Sequence, residues 1–171
     1  MNRESRNAHF KRIILAVIIV FACLFQLSNF SVQKLFGIGI LYTIPTVICI
    51  SMFQGEIISM CCGLLAGIIW DSVSARGNCF HTVFLVVTAF IVSYAIQKRI
   101  RNIFLSAAIL ISLCVFLHNI LYWLFFVVFE KIDGVATALI RFYMPSFLFT
   151  SLTGFIIYFI IKFVHKKFNE M

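Results

Sequence analysis

The chain has little charge and very few acidic residues. Only 12% of its 171 residues are charged, and Asp and Glu together number 6. Soluble domains average about 25% charged and about 45–50% apolar residues. Here 63% of the residues are hydrophobic, 21 residues are Phe, and the mean hydropathy is +1.07. This composition excludes a soluble domain and predicts an integral membrane protein.

The net charge of +8 does not indicate a nucleic-acid partner. A nucleic-acid-binding domain spreads Lys and Arg over a polar face. In this chain the basic residues form short clusters between apolar stretches, as they do at the cytoplasmic ends of membrane spans. We therefore expect the chain to contact the lipid bilayer and no nucleic acid.

Six apolar runs follow one another along the chain. Six helices of about 20 residues use about 120 residues and leave about 50 for termini and connections. We expect an all-α integral membrane protein, a six-transmembrane-helix bundle that forms a single membrane domain over residues 1–171 without an appended soluble domain. The predicted helices are 13–30, 35–53, 57–71, 80–97, 103–129 and 142–164.

The first run has a second interpretation. A basic start before an apolar core is also the signature of a cleaved signal peptide. No A-x-A-like site follows this run, and the bulky Phe21 argues against a lipoprotein cleavage box that ends at Cys23. We therefore expect a retained first helix.

The basic residues also predict the orientation of the spans. With a cytoplasmic N-terminus, the inside carries Arg3, Arg6, Lys11, Arg12, Lys98, Arg99, Arg101, Lys162, Lys166 and Lys167. The outside then carries only Lys34, Arg76, Lys131 and Arg141. Cytoplasmic loops hold the excess of Lys and Arg. Both termini should therefore be cytoplasmic, which requires an even number of spans.

Small and polar residues recur at helical spacing on several of the predicted helices. In lipid, helices associate through close backbone approach and interhelical hydrogen bonds. We expect these stripes to face the core, or in part to line a small-molecule pocket. They comprise Gly39, Thr43 and Thr46, then Ala89 and Ser93, then Ser146, Thr150, Thr153 and Gly154.

His118 and Asn119 lie near the middle of the fifth predicted helix. An ionisable residue at that depth is costly and is a functional-site hypothesis by default. A neutral His and an Asn can also bond to Thr, Ser or Tyr of a neighbouring helix. Both interpretations stay open: a structural hydrogen-bonding pair, or a contact for transport or a ligand.

The sequence gives no sign of catalytic or metal chemistry. The 6 cysteines show no C-x-x-C spacing and no Cys/His pair at metal-ligand spacing. No Ser/His pair or carboxylate pair lies at matched depth. We expect no catalytic residues, no metal and no cofactor, and therefore not an enzyme.

The most specific local pattern lies in and after the third predicted helix. Gly63 and Gly67 form a small-residue seam that admits another helix at close distance. Asp71 extends the same face because it follows one helical turn later. Arg76 is close enough in sequence to neutralise Asp71, and Gly77 can adopt a positive φ in the turn that follows.

The string Gly63-Leu-Leu-Ala-Gly67-Ile-Ile-Trp-Asp71 resembles the G-x-x-x-G-x-x-x-D segment of the rod shape-determining protein MreD family. Members of that family are similarly short, have several spans and lack large soluble domains. They share the hairpin before this helix and a basic loop like residues 98–101. The resemblance covers residues 55–82 in motif and the whole chain in architecture.

The chain also departs from that family at named positions. Pro45-Thr46 stands where the family often has Pro-Asn or Pro-Asp. Trp70 and Ser72 replace the aliphatic residues that usually flank the Asp. The resemblance is therefore weaker in the second helix than in the third.

The resemblance implies a non-catalytic subunit of the bacterial cell-elongation machinery in the cytoplasmic membrane. Its direct partner would be MreC. MreB, RodA and a class B penicillin-binding protein would join through the complex, which supports lateral peptidoglycan synthesis and rod shape. The site residues would be Gly63, Gly67, Asp71, Arg76 and Gly77, which would shape the outward half of the bundle where a partner segment docks.

The family is also similar in fold to the substrate-binding S components of energy-coupling factor transporters, and such a vitamin-binding component is the alternative function. An S component needs a polar outer pocket and usually an Ala-x-x-x-Ala seam on its first helix. Ala16 and Ala22 do not have that spacing. The predicted outer loops are short and poor in ligand groups, so we expect the scaffold function first.

Overall fold

The computed structural model describes residues 3–28, 39–74, 79–129 and 135–169, and the regular structure within those ranges is helical. A π-helical segment, Leu124–Val128, extends the fifth helix, and a single turn, Val135–Ala138, with a second π-helical segment, Leu139–Tyr143, leads into the sixth. The main helices are α1 Arg3–Leu27, α2 Thr43–Phe53, α3 Glu56–Val73, α4 Phe80–Lys98, α5 Phe104–Trp123 and α6 Met144–Asn169.

Five stretches of the described residues are long and apolar enough to cross a bilayer: Phe10–Leu27, Glu56–Val73, Phe80–Lys98, Phe104–Val128 and Leu139–Lys167. Their outward faces carry large exposed apolar side chains, as lipid-facing helices do. The prediction of an all-α, multi-pass membrane protein is confirmed at this level. The count of six spans stays a prediction because it depends on α2.

α2 is the central helix of the bundle, and it is short. Every residue from Thr43 to Met52 is buried, and α2 packs against each of the other five main helices. A helix that is apolar on all sides belongs in the interior. With 11 residues it is about 16 Å long, half of a hydrocarbon core of about 30 Å.

The chain enters α2 through a non-helical segment rather than through the helix predicted from residue 35. Residues 39–42 are not helical, and residues 35–38 lie outside the described ranges. The Leu41 N–H donates to Thr150 Oγ1 at 3.1 Å, and the Thr43 N–H donates to Gln26 Oε1 at 2.9 Å. Side chains of α6 and α1 thus satisfy backbone groups that lipid could not, which permits a non-helical segment inside the bundle.

The other helices surround α2 in two groups. α3 packs along its length on α4 and also contacts α1, and α5 packs on α6. The two groups meet where α4 faces α5, and the contact between these two helices is small. At the end of α2, the hairpin predicted before the third helix is confirmed, because only Gln54 and Gly55 separate α2 from α3.

The stripes of small and polar residues face inward as predicted, except for Gly39, which is exposed. Thr43, Thr46, Ala89, Ser93, Ser146, Thr150 and Gly154 are buried, and Thr153 is half-buried. Several of them bond across helices: the Ser93 hydroxyl, for example, donates to the Gln54 carbonyl at 2.8 Å. These residues therefore hold together the helices and the non-helical segment before α2.

Candidate functional site

The glycine seam of α3 is filled by α4 of the same chain. Gly63 and Gly67 are both buried. A β-carbon on Gly63 would lie 2.7 Å from the Leu85 carbonyl oxygen, and one on Gly67 would overlap Thr82 Cα. Only glycine allows the two backbones to come this close. A partner's helix cannot contact either glycine in this arrangement, so the seam shapes the bundle rather than the partner contact itself.

Asp71, in the last turn of α3, caps the first turn of the neighbouring helix α4. Its Oδ1 accepts the His81 N–H at 3.2 Å, and its Oδ2 accepts the Thr82 N–H at 2.8 Å and the Thr82 hydroxyl at 2.5 Å. The first N–H groups of a helix lack partners within the helix, and a carboxylate there also meets the positive end of the helix dipole. Arg76 and Gly77, and with them the predicted pairing of Arg76 with Asp71, lie outside the described residues.

The cap on α4 holds His81 in the interior. His81 is 5% exposed and its ring stacks on Trp70, with centroids 4.0 Å apart and planes 2° apart. Its Nδ1 lies 3.2 Å from Nε2 of His118, which is 3% exposed. One hydrogen bond between two imidazoles therefore connects α4 with α5, and Trp70 of α3 supports one of the rings.

The histidine pair sits among aromatic rings. Tyr122, one turn after His118, is nearly parallel to both imidazoles, with centroids 5.6 Å from His81 and 5.9 Å from His118. Phe80 meets His81 edge-on, and Phe84 meets His118 edge-on. The aromatic side chains of α4 and α5 thus fix the orientation of the two imidazoles.

Asn119 extends the polar cluster to the segment before α6. It is 6% exposed, and its Nδ2 donates to the Tyr143 carbonyl at 3.3 Å. The sequence suggested Thr, Ser or Tyr side chains as partners for His118 and Asn119. The structure instead pairs His118 with a second histidine and Asn119 with a backbone carbonyl. Within the described residues, Nδ1 of His118 is buried and has no hydrogen-bond partner.

A cavity of about 400 Å³ lies beside this cluster. It occupies the end of the bundle that the short α2 does not fill, and the Ser146 hydroxyl beside it donates to the Gly39 carbonyl of the non-helical segment. The lining carries rings, amide, hydroxyl and imidazole groups but no Lys, Arg, Asp or Glu among the described residues. It comprises Gly39, Leu41, Trp70, Ser74, His81, His118, Asn119, Tyr122, Phe142, Tyr143 and Ser146.

Sequence reasoning missed His81 as a member of this cluster. His81 is separated from His118 by 37 positions and belongs to another helix. Its position one residue into an apolar helix, ten residues after Asp71, was the available signal. That signal becomes interpretable only once Asp71 is known to cap α4, because the cap sets the rotation of the first turn.

The geometry also relates the two groups of predicted site residues. Gly63, Gly67 and Asp71 place α4, and α4 carries His81 to His118 and Asn119. The described members of both groups therefore form one connected structure at one end of the bundle.

No family model, no curated protein and no solved structure matches this chain.

Proposed function

We propose that this chain is a non-catalytic scaffold subunit of the bacterial cell-elongation machinery, of the MreD kind. It lies in the cytoplasmic membrane, binds MreC directly, and through that complex supports the lateral peptidoglycan synthesis that maintains rod shape. The main support is the G-x-x-x-G-x-x-x-D segment. Its glycines and its carboxylate each make a contact that holds α4 on α3.

The proposal includes six crossings with both termini in the cytoplasm. The non-helical segment 39–42 and α2 together form one of the six crossings. The supporting observations are the side-chain bonds that satisfy this segment inside the bundle and the basic clusters of the sequence, ten of whose 14 residues then lie inside. Cysteine labelling of residues at the two ends from either side of intact cells tests this orientation.

The exposed helix faces supply the surface for a partner. In lipid, a partner's spanning helix binds through packing and hydrogen bonds rather than through the hydrophobic effect. Large apolar side chains of α1, α3, α4, α5 and α6 are exposed on the outside of the bundle. The contact between α3 and α4 holds the exposed faces in fixed relative positions. In this proposal, the motif serves to maintain that contact.

Copurification with MreC tests this function. The chain and a tagged MreC are expressed together, extracted from membranes in mild detergent and purified through the tag. We expect the two proteins in a constant ratio. Single Trp substitutions of exposed residues then locate the contact, at Ile57, Ile68, Val87, Leu117 and Leu152, which are 45–78% exposed.

Exposed positions are chosen because a larger side chain there leaves the fold intact. Substitutions on one helix face should reduce the yield of the chain that copurifies with MreC, and those on the other faces serve as matched controls with unchanged yield and unchanged thermal unfolding. Recovery of tagged MreC without the chain contradicts a direct complex, and an equal yield of the chain in all five variants contradicts a contact through the faces of α3 to α6.

The cavity favours a second candidate, a substrate-binding S component of a vitamin transporter. Such a protein needs an outer pocket with ligand groups, and the lining of His118, Asn119 and Tyr122 offers them. This candidate predicts copurification with a transporter's coupling subunit and ATPases instead of MreC. Tagged preparations from the native host, compared for these two sets of partners, distinguish the two functions.

A further inference from the structure

We propose that the cavity beside His81 and His118 binds a neutral, planar small molecule that carries both a hydrogen-bond donor and an acceptor. A bicyclic heteroaromatic carboxamide represents this class. The inference goes beyond the scaffold function and does not depend on it. It rests on the space, the hydrogen-bonding groups, the rings and the absence of charge in the lining described above.

The space is a consequence of how α2 begins. A full-length helix in the centre would occupy this end of the bundle, but α2 starts only at Thr43. Gly39 and Leu41 of the non-helical segment line the resulting cavity of about 400 Å³. Non-helical backbone at membrane depth is tolerated where it is buried in protein or lines a cavity. The same arrangement brings backbone polar groups to the cavity wall.

The histidine pair supplies an unused polar atom. When both imidazoles are neutral, one proton lies between His81 Nδ1 and His118 Nε2. If His81 donates it, His118 carries its own proton on Nδ1; if His118 donates, its Nδ1 is a bare acceptor. In either tautomer this buried Nδ1 has no partner among the described residues. A ligand with a donor and an acceptor satisfies both states.

An unpaired polar atom at this depth is costly, because neither lipid nor the apolar interior can bond to it. The side chain that bears it is 3% exposed and lines the cavity. Asn119, whose Nδ2 bonds to the Tyr143 carbonyl, lines the same cavity. The cavity thus presents polar groups from two adjacent residues of α5.

The rings define a flat ligand. Trp70, His81, His118 and Tyr122 have interplanar angles between 2° and 28°. Nearly parallel rings accept a planar guest in an offset stack. The absence of Lys, Arg, Asp and Glu from the described lining argues for a neutral guest, since an unpaired charge in this apolar wall would be strongly disfavoured.

Asp71 and the glycine seam act here as positioning residues. Asp71 fixes the backbone of His81 and Thr82, and Gly67 sets the distance of that first turn from Trp70. The stack of His81 on Trp70 therefore depends on residues that do not line the cavity. This connects the family-like motif to the binding site without assigning the motif a ligand contact.

Fluorescence of Trp70 measures binding directly. The chain has 2 tryptophans, so Trp123→Phe leaves Trp70 as the single reporter in the cavity wall. The purified full chain in detergent is titrated with quinoline-3-carboxamide up to about 1 mM, a range that covers weak binding. Quinoline-3-carboxylate, which has the same rings and a negative charge, and 3-methylquinoline, which lacks the amide, are the matched probes.

We expect saturable quenching by the carboxamide and at least about tenfold weaker binding of the other two probes. In the same background, His118→Leu should weaken carboxamide binding about tenfold or more, and Tyr122→Phe, which keeps the ring, by about two- to fivefold. Leu113→Ala, on the lipid-facing side of α5 and 58% exposed, is the control that should bind as the parent does.

Thermal unfolding of each variant confirms that it is folded before its binding is interpreted. Quenching that does not saturate, equal affinity for the carboxylate, or undiminished binding to both folded cavity variants overturns the proposal. Tight binding of Zn²⁺ that both His81→Leu and His118→Leu abolish, without carboxamide binding, assigns the cavity to a metal and overturns it as well.

Discussion

α4 makes two contacts of opposite character, one with α3 and one with α5. Against α3 the backbones nearly touch: glycines remove side chains from the contact, and Asp71 bonds directly to N–H groups of α4. Against α5 the helices stand apart, and large rings with one imidazole pair bridge the gap. One face of α4 therefore packs closely on α3, whereas another face is separated from α5 by large side chains.

The difference shows where this bundle can hold something other than itself. Close backbone packing between α3 and α4 leaves no room for a ligand, and it fixes the position of α4. Separation leaves the polar cavity at the α2-free end and an apolar groove of about 650 Å³ between α4 and α5, lined among others by Phe80, Val87 and Leu121. We infer that stability lies mainly in the α3–α4 contact and that the α4–α5 side is available for function.

Gly67→Ala breaks the close contact and should have the largest effect. Its β-carbon would overlap Thr82 Cα, a backbone atom that cannot move without shifting α4. We expect a loss of about 2–3 kcal/mol in the free energy of unfolding, at the upper end for an overpacked site. Thermal unfolding of the purified chain in detergent measures this loss as a lower Tm.

Gly55→Ala is the matched control for that substitution. Gly55 precedes α3, has a φ of −68°, and a β-carbon there meets nothing within 4 Å. Because Gly55 is the N-cap of α3, its replacement should cost no more than about 1 kcal/mol. Equal losses in the two variants would mean that proximity at the seam is not what stabilises α4 on α3.

Asp71→Asn tests the cap and should have the second largest effect. The amide keeps one acceptor oxygen but loses the charge and cannot accept both the His81 and Thr82 N–H groups. Bonds to a charged group contribute about 1.5–3 kcal/mol, and we expect a loss near the lower value because Asp71 is only half-buried. Chemical denaturation in mixed micelles measures the change.

Glu56→Gln is the control for Asp71→Asn. Glu56 also lies in the first turn of a helix, α3, where an acid meets the helix dipole without capping another helix. Its replacement should cost no more than about 0.5 kcal/mol. The variant Thr82→Val should lose less in the Asp71→Asn background than in the parent, because the Thr82 hydroxyl bonds to the same side chain, whose charge is already lost there. Additive losses contradict a shared cap.

Much of the fold could be predicted because it depends on local composition. Apolar runs and the short Gln54–Gly55 connection locate helices and the hairpin without knowledge of any contact. The spacing of Gly63, Gly67 and Asp71 also predicts a close helix contact and its face. It does not predict which helix fills the seam, since that depends on how the chain returns after residue 74.

The start of α2 and the histidine pair could not be predicted for the same reason. Residues 39–42 are apolar enough for a helix, and bonds from Thr150 and Ser146, more than 100 positions away, and from Gln26 make a non-helical backbone tolerable. No local pattern reports such partners. Polar residues spaced along α6 indicated an inward face, but they did not reveal that the face serves backbone atoms.

The variant pair His81→Leu and His118→Leu sharpens the comparison at the looser contact, with the smallest effect on stability. Each single variant leaves the other imidazole buried without its partner and should cost about 1 kcal/mol. The double variant removes both polar groups together and should recover most of that loss, since apolar replacement of both partners is nearly neutral. Thermal unfolding of the four proteins measures the coupling. If the double variant instead loses the sum of the two single losses, the imidazole bond is not the shared interaction, and α4 and α5 are held together by the surrounding rings alone.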